Sequence, residues 1–157
     1  MGRDYILTGR REFRGLGNGA GFPVTSMENG VQFNFFGNGA IQTSWTAAGA
    51  DIGWLAVDRN GNGTIDDGTE LFSNVAPQPG SSSKANGFSA LAVHDQPSKG
   101  GNGDGMISNK DAIFSKLLIW VDKKHDGISQ PSELLTMQQA NVKSISVNYR
   151  LSWQTDV

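Results

Sequence analysis

Three segments of the chain place oxygen-bearing side chains on alternate residues and follow them with glycine. Each is a variant of D-x-[DN]-x-[DN]-G, in which positions 1, 3 and 5 offer oxygens and the glycine at position 6 permits a sharp turn. Position 7 adds a backbone carbonyl, and an acid near position 12 completes the shell of about six to eight oxygens that calcium prefers. One match would suit an ordinary turn. Three matches predict calcium binding, with Ca²⁺ as the cofactor.

The first of these loops begins at Asp58 and is the most complete. Its candidate ligands are Asp58, Asn60, Asn62, the Thr64 carbonyl, Asp66 and Glu70. Thr69 occupies position 12, so the closing acid comes one residue late. This offset predicts a loop that is similar to an EF-hand loop without having its standard length.

The second loop has no acid at its first position. Counting back from Gly105 places Gly100 there, and the nearest acid upstream is Asp95. We therefore interpret residues 96–100, Gln-Pro-Ser-Lys-Gly, as an insertion between Asp95 and the rest of the loop. The candidate ligands are Asp95, Asn102, Asp104, the Met106 carbonyl and Asp111. The structural alternative for Asp111 is that it helps to cap a helix that begins after Ser108.

The third loop has acids at both ends and a cation inside it. Its candidate positions are Asp122, Lys124, Asp126, the Ile128 carbonyl and Glu133. Lys124 occupies position 3, where its ammonium group would repel a divalent ion unless the side chain turned into water. We expect the side chain to do so, which leaves a site that is short of one ligand.

Composition excludes several other functions. The chain of 157 residues has no cysteine, which excludes disulfides and thiolate zinc sites. Its two histidines are too few for a usual zinc site, and its net charge of −2 does not suit nucleic-acid binding. No apolar run approaches the ~18 residues of a membrane-spanning helix, so membrane insertion is not expected. No catalytic motif is evident, and no catalytic residue is predicted.

The sequence patterns around the loops predict a β-rich first half and a helical second half. Residues 1–22 are basic and Gly-rich, and we expect them to form a lead-in to the domain. We expect residues 23–157 to form a single calcium-binding domain. Apolar patterns predict short strands at 31–36, 41–45 and 53–57, three helices at 88–95, 108–122 and 131–140, and a closing strand from Lys143 to Leu151. The predicted fold class is α+β, with EF-hand-like calcium loops and three helices in the second half.

The segments that contain the loops resemble the EF-hand-like calcium-binding module of bacterial RTX-type secreted proteins. The resemblance is most specific from Gly53 to Tyr149, through GWLAVDRNGNGTIDDGTELF, NGDGMISNKDAIFSKLLIWVDKKHDGISQPSELL and VKSISVNY. It implies an α+β domain that is exported unfolded and folds with calcium outside the cell, beside neighbouring domains of a larger chain. Some members, the self-processing modules, then cleave an Asp-Pro bond at their own N-terminal edge.

The chain departs from this family in the bond that self-cleavage requires. Its five prolines follow Phe22, Ala76, Gln78, Gln96 and Gln130, so it contains no Asp-Pro pair. The sequence therefore favours a non-catalytic, calcium-stabilised structural module of a secreted bacterial protein. One alternative is a calcium-triggered autoprocessing module whose Asp-Pro bond lies outside this chain. The other is a calcium-dependent protein-binding module similar to dockerins.

Overall fold

The fold is mostly β. A computed structural model describes residues 24–80 and 85–148, together with the backbone of strands β1 (Tyr5–Thr8) and β2 (Phe13–Gly15). The other strands are β3 (Val31–Phe33), β4 (Ile41–Thr43), β5 (Ile52–Val57), β6 (Met106–Ser108), β7 (Leu117–Trp120), β8 (Leu134–Thr136) and β9 (Ser144–Ser146). The α-helix of this described part is α1 (Gly87–Ala92), which continues as a 3₁₀ turn over Val93–Asp95.

The central sheet is antiparallel, and its strands lie in the order β2-β1-β5-β7-β8. In its middle, β5 pairs with β7 so that Trp54 lies opposite Trp120 and Val57 lies opposite Leu117. Strands β3 and β4 form a separate ribbon, and so do β6 and β9. Strands β1 and β2 fall within the stretch that the sequence predicts as a lead-in, and β1 pairs with β5.

Both faces of β5 and β7 are covered, which explains why these strands are apolar throughout. Alternate residues of β5 contribute to two different cores, Trp54 to one and Leu55 to the other. The first core contains an aromatic cluster, which we define as Phe33, Phe35, Trp45, Trp54 and Trp120. The second is mainly aliphatic and joins the sheet to α1, β6 and β9. Strands buried on both faces read as continuous apolar runs rather than as alternating ones.

The predicted α+β class with three helices in the second half is wrong. Of the three predicted helices, the one at 88–95 corresponds to helical backbone, as α1 and its 3₁₀ extension. Residues 108–122 instead form a 3₁₀ turn over Phe114–Lys116 followed by β7. Residues 131–140 begin with a 3₁₀ turn over Pro131–Glu133 that runs into β8. The three loops are therefore not flanked by pairs of helices.

The error has an identifiable physical cause. The run Leu-Leu-Ile-Trp-Val at 117–121 is apolar at every position, and periodicity alone does not separate a buried strand from a buried helix. Long-range pairing decides between them, because β5 and β8 supply hydrogen-bond partners on both sides of β7. The strands predicted in the first half are present as β3, β4 and β5, and β9 lies within the predicted closing strand. The end of that closing strand, residues 149–151, is outside the described part.

No helix in the described ranges has the length and apolar character needed to cross a membrane.

Gly53 provides a test of the close approach between β5 and β7. A Cβ atom at this position would lie 2.6 Å from Ile119 Cγ2 and 2.8 Å from the Trp120 carbonyl oxygen. We expect Gly53→Ala to lower the free energy of unfolding in urea by about 1–3 kcal/mol, the usual cost of overpacking. A helix over 108–122 would remove this crowding, and alanine would then stabilise the protein by restricting the unfolded chain. An increase in the free energy of unfolding would therefore contradict the pairing.

Candidate metal-binding loops

The three loops coil around their first acid in the same way. We call them the first loop (58–70), the second loop (95–111) and the third loop (122–133). In each, a backbone N–H at position 6 donates to the first carboxylate at 2.8 Å, with the pairs Gly63 to Asp58, Gly105 to Asp95 and Gly127 to Asp122. These glycines have φ of 84°, 81° and 70°, a left-handed conformation that costs little only without a Cβ atom.

The closing acid has the same role in all three loops. Both of its carboxylate oxygens accept backbone N–H groups, one from position 2 or 3 and one from position 9. The donors are Arg59 and Asp66 to Glu70, Asn102 and Ser108 to Asp111, and Lys124 and Gln130 to Glu133, at 2.8–3.3 Å. Each closing acid therefore ties the beginning of its loop to the end.

Five of these carboxylates are buried. Glu70, Asp95, Asp111, Asp122 and Glu133 are between 2 and 7% exposed. Among the described residues, the ion pair found in the loops joins Lys110 and Asp104, which are both exposed. No described lysine or arginine forms an ion pair with any of the five buried carboxylates. A buried carboxylate is costly unless hydrogen bonds and an opposite charge compensate it. The backbone supplies most of the hydrogen bonds here, and of the described cations Arg59 interacts electrostatically with Glu70 without forming an ion pair with it.

The first loop gathers its candidate ligands around Asp66. Asn60 and Asn62 donate their side-chain amides to Asp66 Oδ2, and Thr64 Oγ1 donates to Asp66 Oδ1. These donors, with Asn62 the strongest, lower the pKa of Asp66. Glu70 closes the loop although it comes one residue later than in the standard spacing, because its N–H partners are Arg59 and Asp66.

The second loop brings Asp95 back to its first position across the inserted residues 96–100. Besides Gly105, the N–H of Gly103 donates to Asp95 Oδ1 at 3.0 Å. Gly101 lies so close to the Asp95 backbone that a Cβ atom would collide with the Asp95 carbonyl group. Asn102 Nδ2 and the Met106 N–H donate to Asp104 and lower its pKa. Asp111, expected either to bind metal or to cap a helix, closes this loop instead of a helix.

The third loop keeps Lys124 away from its buried carboxylates. The Lys124 side chain is exposed, while its backbone N–H donates to Glu133 Oε1 at 3.0 Å. Asp126 accepts from the Ile128 N–H and from Gln130 Nε2, both at 2.9 Å. The loop thus offers acids at positions 1, 5 and 12, with no side-chain oxygen at position 3.

Two indole groups also reach the acids of the third loop. Trp45 Nε1 donates to Asp122 Oδ2 at 2.8 Å, and Trp120 Nε1 lies 3.5 Å from Glu133 Oε2. Sequence analysis did not identify these contacts. The sequence carried only a general indication of these contacts, which is that a buried indole N–H usually has a hydrogen-bond acceptor. The chain separation of 77 residues between Trp45 and Asp122 concealed which acceptor it is.

The residue at position 8 attaches each loop to another segment. Ile65 of the first loop donates its N–H to Ser129 Oγ of the third loop at 2.7 Å, and both residues are buried. Ile107 of the second loop lies in β6 and pairs with Ile145 of β9. At their bases, the first and third loops are closed by hydrogen bonds from Val57 N–H and Val121 N–H to the carbonyls of Glu70 and Glu133.

Carboxylates alone do not form a metal-ligand cluster in these loops. Across the described residues, no group of three or more His, Cys, Asp or Glu side chains is placed to hold a metal ion. The candidate ligands of each loop also include backbone carbonyls and, in the first two loops, asparagine amides. A metal here would therefore depend on a mixed set of oxygen ligands.

Comparison with known proteins places this arrangement in a family. The profile of the SPM domain matches residues 17–156. The chain is also 39% identical over 113 residues to the iron-regulated protein FrpA of Neisseria meningitidis serogroup C. That alignment covers 72% of this chain and 10% of the relative, so the matched region spans about a tenth of the relative's length. Because the profile covers most of its residues, the chain belongs to the SPM domain family.

Proposed function

We propose that this chain is a calcium-binding, calcium-stabilised structural module of a larger secreted bacterial protein. The observation that supports this most directly is the repeated construction of the three loops. In each, a first acid and a closing acid are held by backbone N–H groups of the same few positions. This arrangement keeps the loop coiled and its oxygens in place before a cation arrives.

The chemistry of the ligand set favours calcium among the common metals. The loops offer carboxylate, amide and carbonyl oxygens, which are hard ligands, and contain no thiolate. Calcium accepts variable numbers of such ligands in flexible geometry, whereas magnesium demands near-ideal octahedral sites. The one-residue offset in the first loop, the insertion in the second and the missing ligand in the third are variations that calcium tolerates better.

Buried negative charge explains why binding would stabilise the fold. Without a bound cation, five carboxylates are removed from water and none of them forms an ion pair with a described side chain. A bound divalent ion would supply the opposite charge and would bind the folded chain in preference to the unfolded one. The chain also has no disulfide to offset its 21 glycines, which cost conformational entropy on folding. Its stability would then depend on the extracellular calcium concentration.

The setting in a longer secreted chain rests on two observations. The sequence resembles the calcium-binding module of RTX-type secreted proteins, and the matched region of the FrpA protein is a small part of that protein. We infer that the partners of this module are calcium ions and neighbouring domains of its parent chain. Its role would be to fold on meeting calcium and to fix the structure of the segments beside it.

Calcium should raise the thermal midpoint strongly, and magnesium should raise it weakly. Each occupied site adds about 2.7 kcal/mol at a hundredfold excess of ligand over its Kd, against a typical total stability of about 5–15 kcal/mol. Differential scanning calorimetry in EGTA, in calcium chloride and in magnesium chloride measures the effect. Identical melting curves in EGTA and in calcium would contradict the proposed function.

Asp95→Asn should remove one calcium site. The amide lacks the negative charge of the carboxylate that accepts the Gly103 and Gly105 N–H groups. Isothermal titration should then show the stoichiometry of the wild-type chain reduced by one. Asp51→Asn is the matched control, because Asp51 is exposed and lies outside the loops. Unchanged stoichiometry in Asp95→Asn would exclude Asp95 as a ligand of the second loop.

The chain should not cleave itself when calcium is added. A structural module needs no scissile bond, and no aspartate precedes any of the five prolines. Intact-mass spectrometry after incubation with calcium chloride should show the single mass of 16.8 kDa expected for the chain. Two products whose masses sum to that of the parent plus one water would show cleavage at a bond other than Asp-Pro and would contradict the non-catalytic role.

A further inference from the structure

The aromatic cluster meets the third loop at one short hydrogen bond. Trp45 is 1% exposed, and its indole N–H donates to Asp122 Oδ2 at 2.8 Å. Asp122 is itself 3% exposed, so this bond lies away from water. Hydrogen bonds to a charged group are about twice as strong as neutral ones, and losing the donor leaves a buried carboxylate less satisfied. The bond therefore bears directly on the orientation of the carboxylate.

The two oxygens of Asp122 are not equivalent. Oδ2 accepts two short bonds, from the Gly127 N–H and from Trp45 Nε1, each at 2.8 Å. Oδ1 accepts one longer bond of 3.3 Å, from the Asp126 N–H. The lone pairs of Oδ2 are thus occupied by nitrogen donors, and Oδ1 is the oxygen left for a cation. Without the indole, rotation of the carboxylate would no longer be restricted in this way.

The other two loops hold their first acid through backbone groups of the same loop. Asp58 accepts the N–H groups of Gly61, Asn62 and Gly63, and Asp95 accepts those of Gly103 and Gly105. In the described structure, a side-chain donor from a distant segment reaches the first acid in the third loop. This is also the loop in which Lys124 replaces a ligand, so the orientation of the remaining ligands matters more there.

We propose that Trp45 is a positioning residue for the third loop: its indole N–H fixes Asp122 so that Oδ1 faces a bound calcium ion. This inference rests on the proposed calcium binding. Trp45 is itself held by two contacts. Its backbone N–H donates to Thr25 Oγ1, and its ring packs on Phe33 of β3. Calcium binding at the third loop is thereby linked to the packing of the aromatic cluster.

Trp54 provides a matched control within the same cluster. Its ring centroid lies 4.8 Å from that of Trp45, and it is 2% exposed. Its Nε1 atom, unlike that of Trp45, has no hydrogen-bond acceptor in the described structure. Trp45→Phe and Trp54→Phe therefore remove a similar volume from the same core, but only the first removes a hydrogen bond to a loop carboxylate.

The experiment is isothermal titration of the 157-residue chain and both variants with calcium chloride. The third site is identified as the one lost in Asp122→Ala. Trp45→Phe should weaken this site by about 10–100-fold, the usual effect of removing a partner that orients a metal ligand, and leave the other sites unchanged. Trp54→Phe should leave every site at the wild-type affinity. Wild-type affinity in Trp45→Phe, or equal weakening in the two variants, would overturn the inference.

A second measurement needs no variant of Trp45. In ¹H–¹⁵N NMR spectra of the wild-type chain, the Trp45 indole N–H should be protected from solvent exchange and should shift as calcium fills the third site. An indole resonance that stays fixed while that site fills would overturn the inference and leave the proposed function intact. A wild-type chain that binds no calcium at all would instead refute the proposed function, and the inference with it.

Discussion

The structure depends on buried carboxylates that form no ion pair with any described side chain. Backbone N–H groups hold each of these carboxylates, and in return each closing acid ties the two ends of its loop together. The bonds fix the shape of the loops but do not neutralise their charge. A divalent cation with many oxygen ligands would neutralise that charge without displacing these bonds, which is the physical basis of the proposed stabilisation by calcium.

The loops and the sheet form one mechanical unit. The first loop leaves β5 and the third loop leaves β7, and these are adjacent inner strands of the sheet. Each of these loops is closed at its base by a backbone bond to the residue before its first acid, Val57 or Val121. Ile65 and Ser129 then join the two loops to each other, so hydrogen bonds connect both loops and the two strands from which they leave.

The aromatic cluster adds a second connection between the loops and the core. Its tryptophans pack as hydrophobic groups, and the indole N–H of Trp45 serves as a hydrogen-bond donor to the third loop. A buried indole combines apolar area with one polar group that needs a partner. At Trp45 that partner is a candidate calcium ligand, so a residue far away in sequence belongs to the environment of the site.

The sequence by itself determined the local features, and tertiary structure decided the rest. The spacing of acids, amides and glycines placed the three loops, because a loop that coils around its own first acid uses only neighbouring residues. The insertion after Asp95 was readable for the same reason. The helix predicted at 108–122 failed because long-range strand pairing, which no local pattern records, decides the state of the wholly apolar run at 117–121. The helix predicted at 131–140 failed because Leu134–Thr136 pairs with that same strand. The contact of Trp45 with Asp122 was likewise invisible, since it joins segments that meet only when the sheet and the aromatic cluster are assembled.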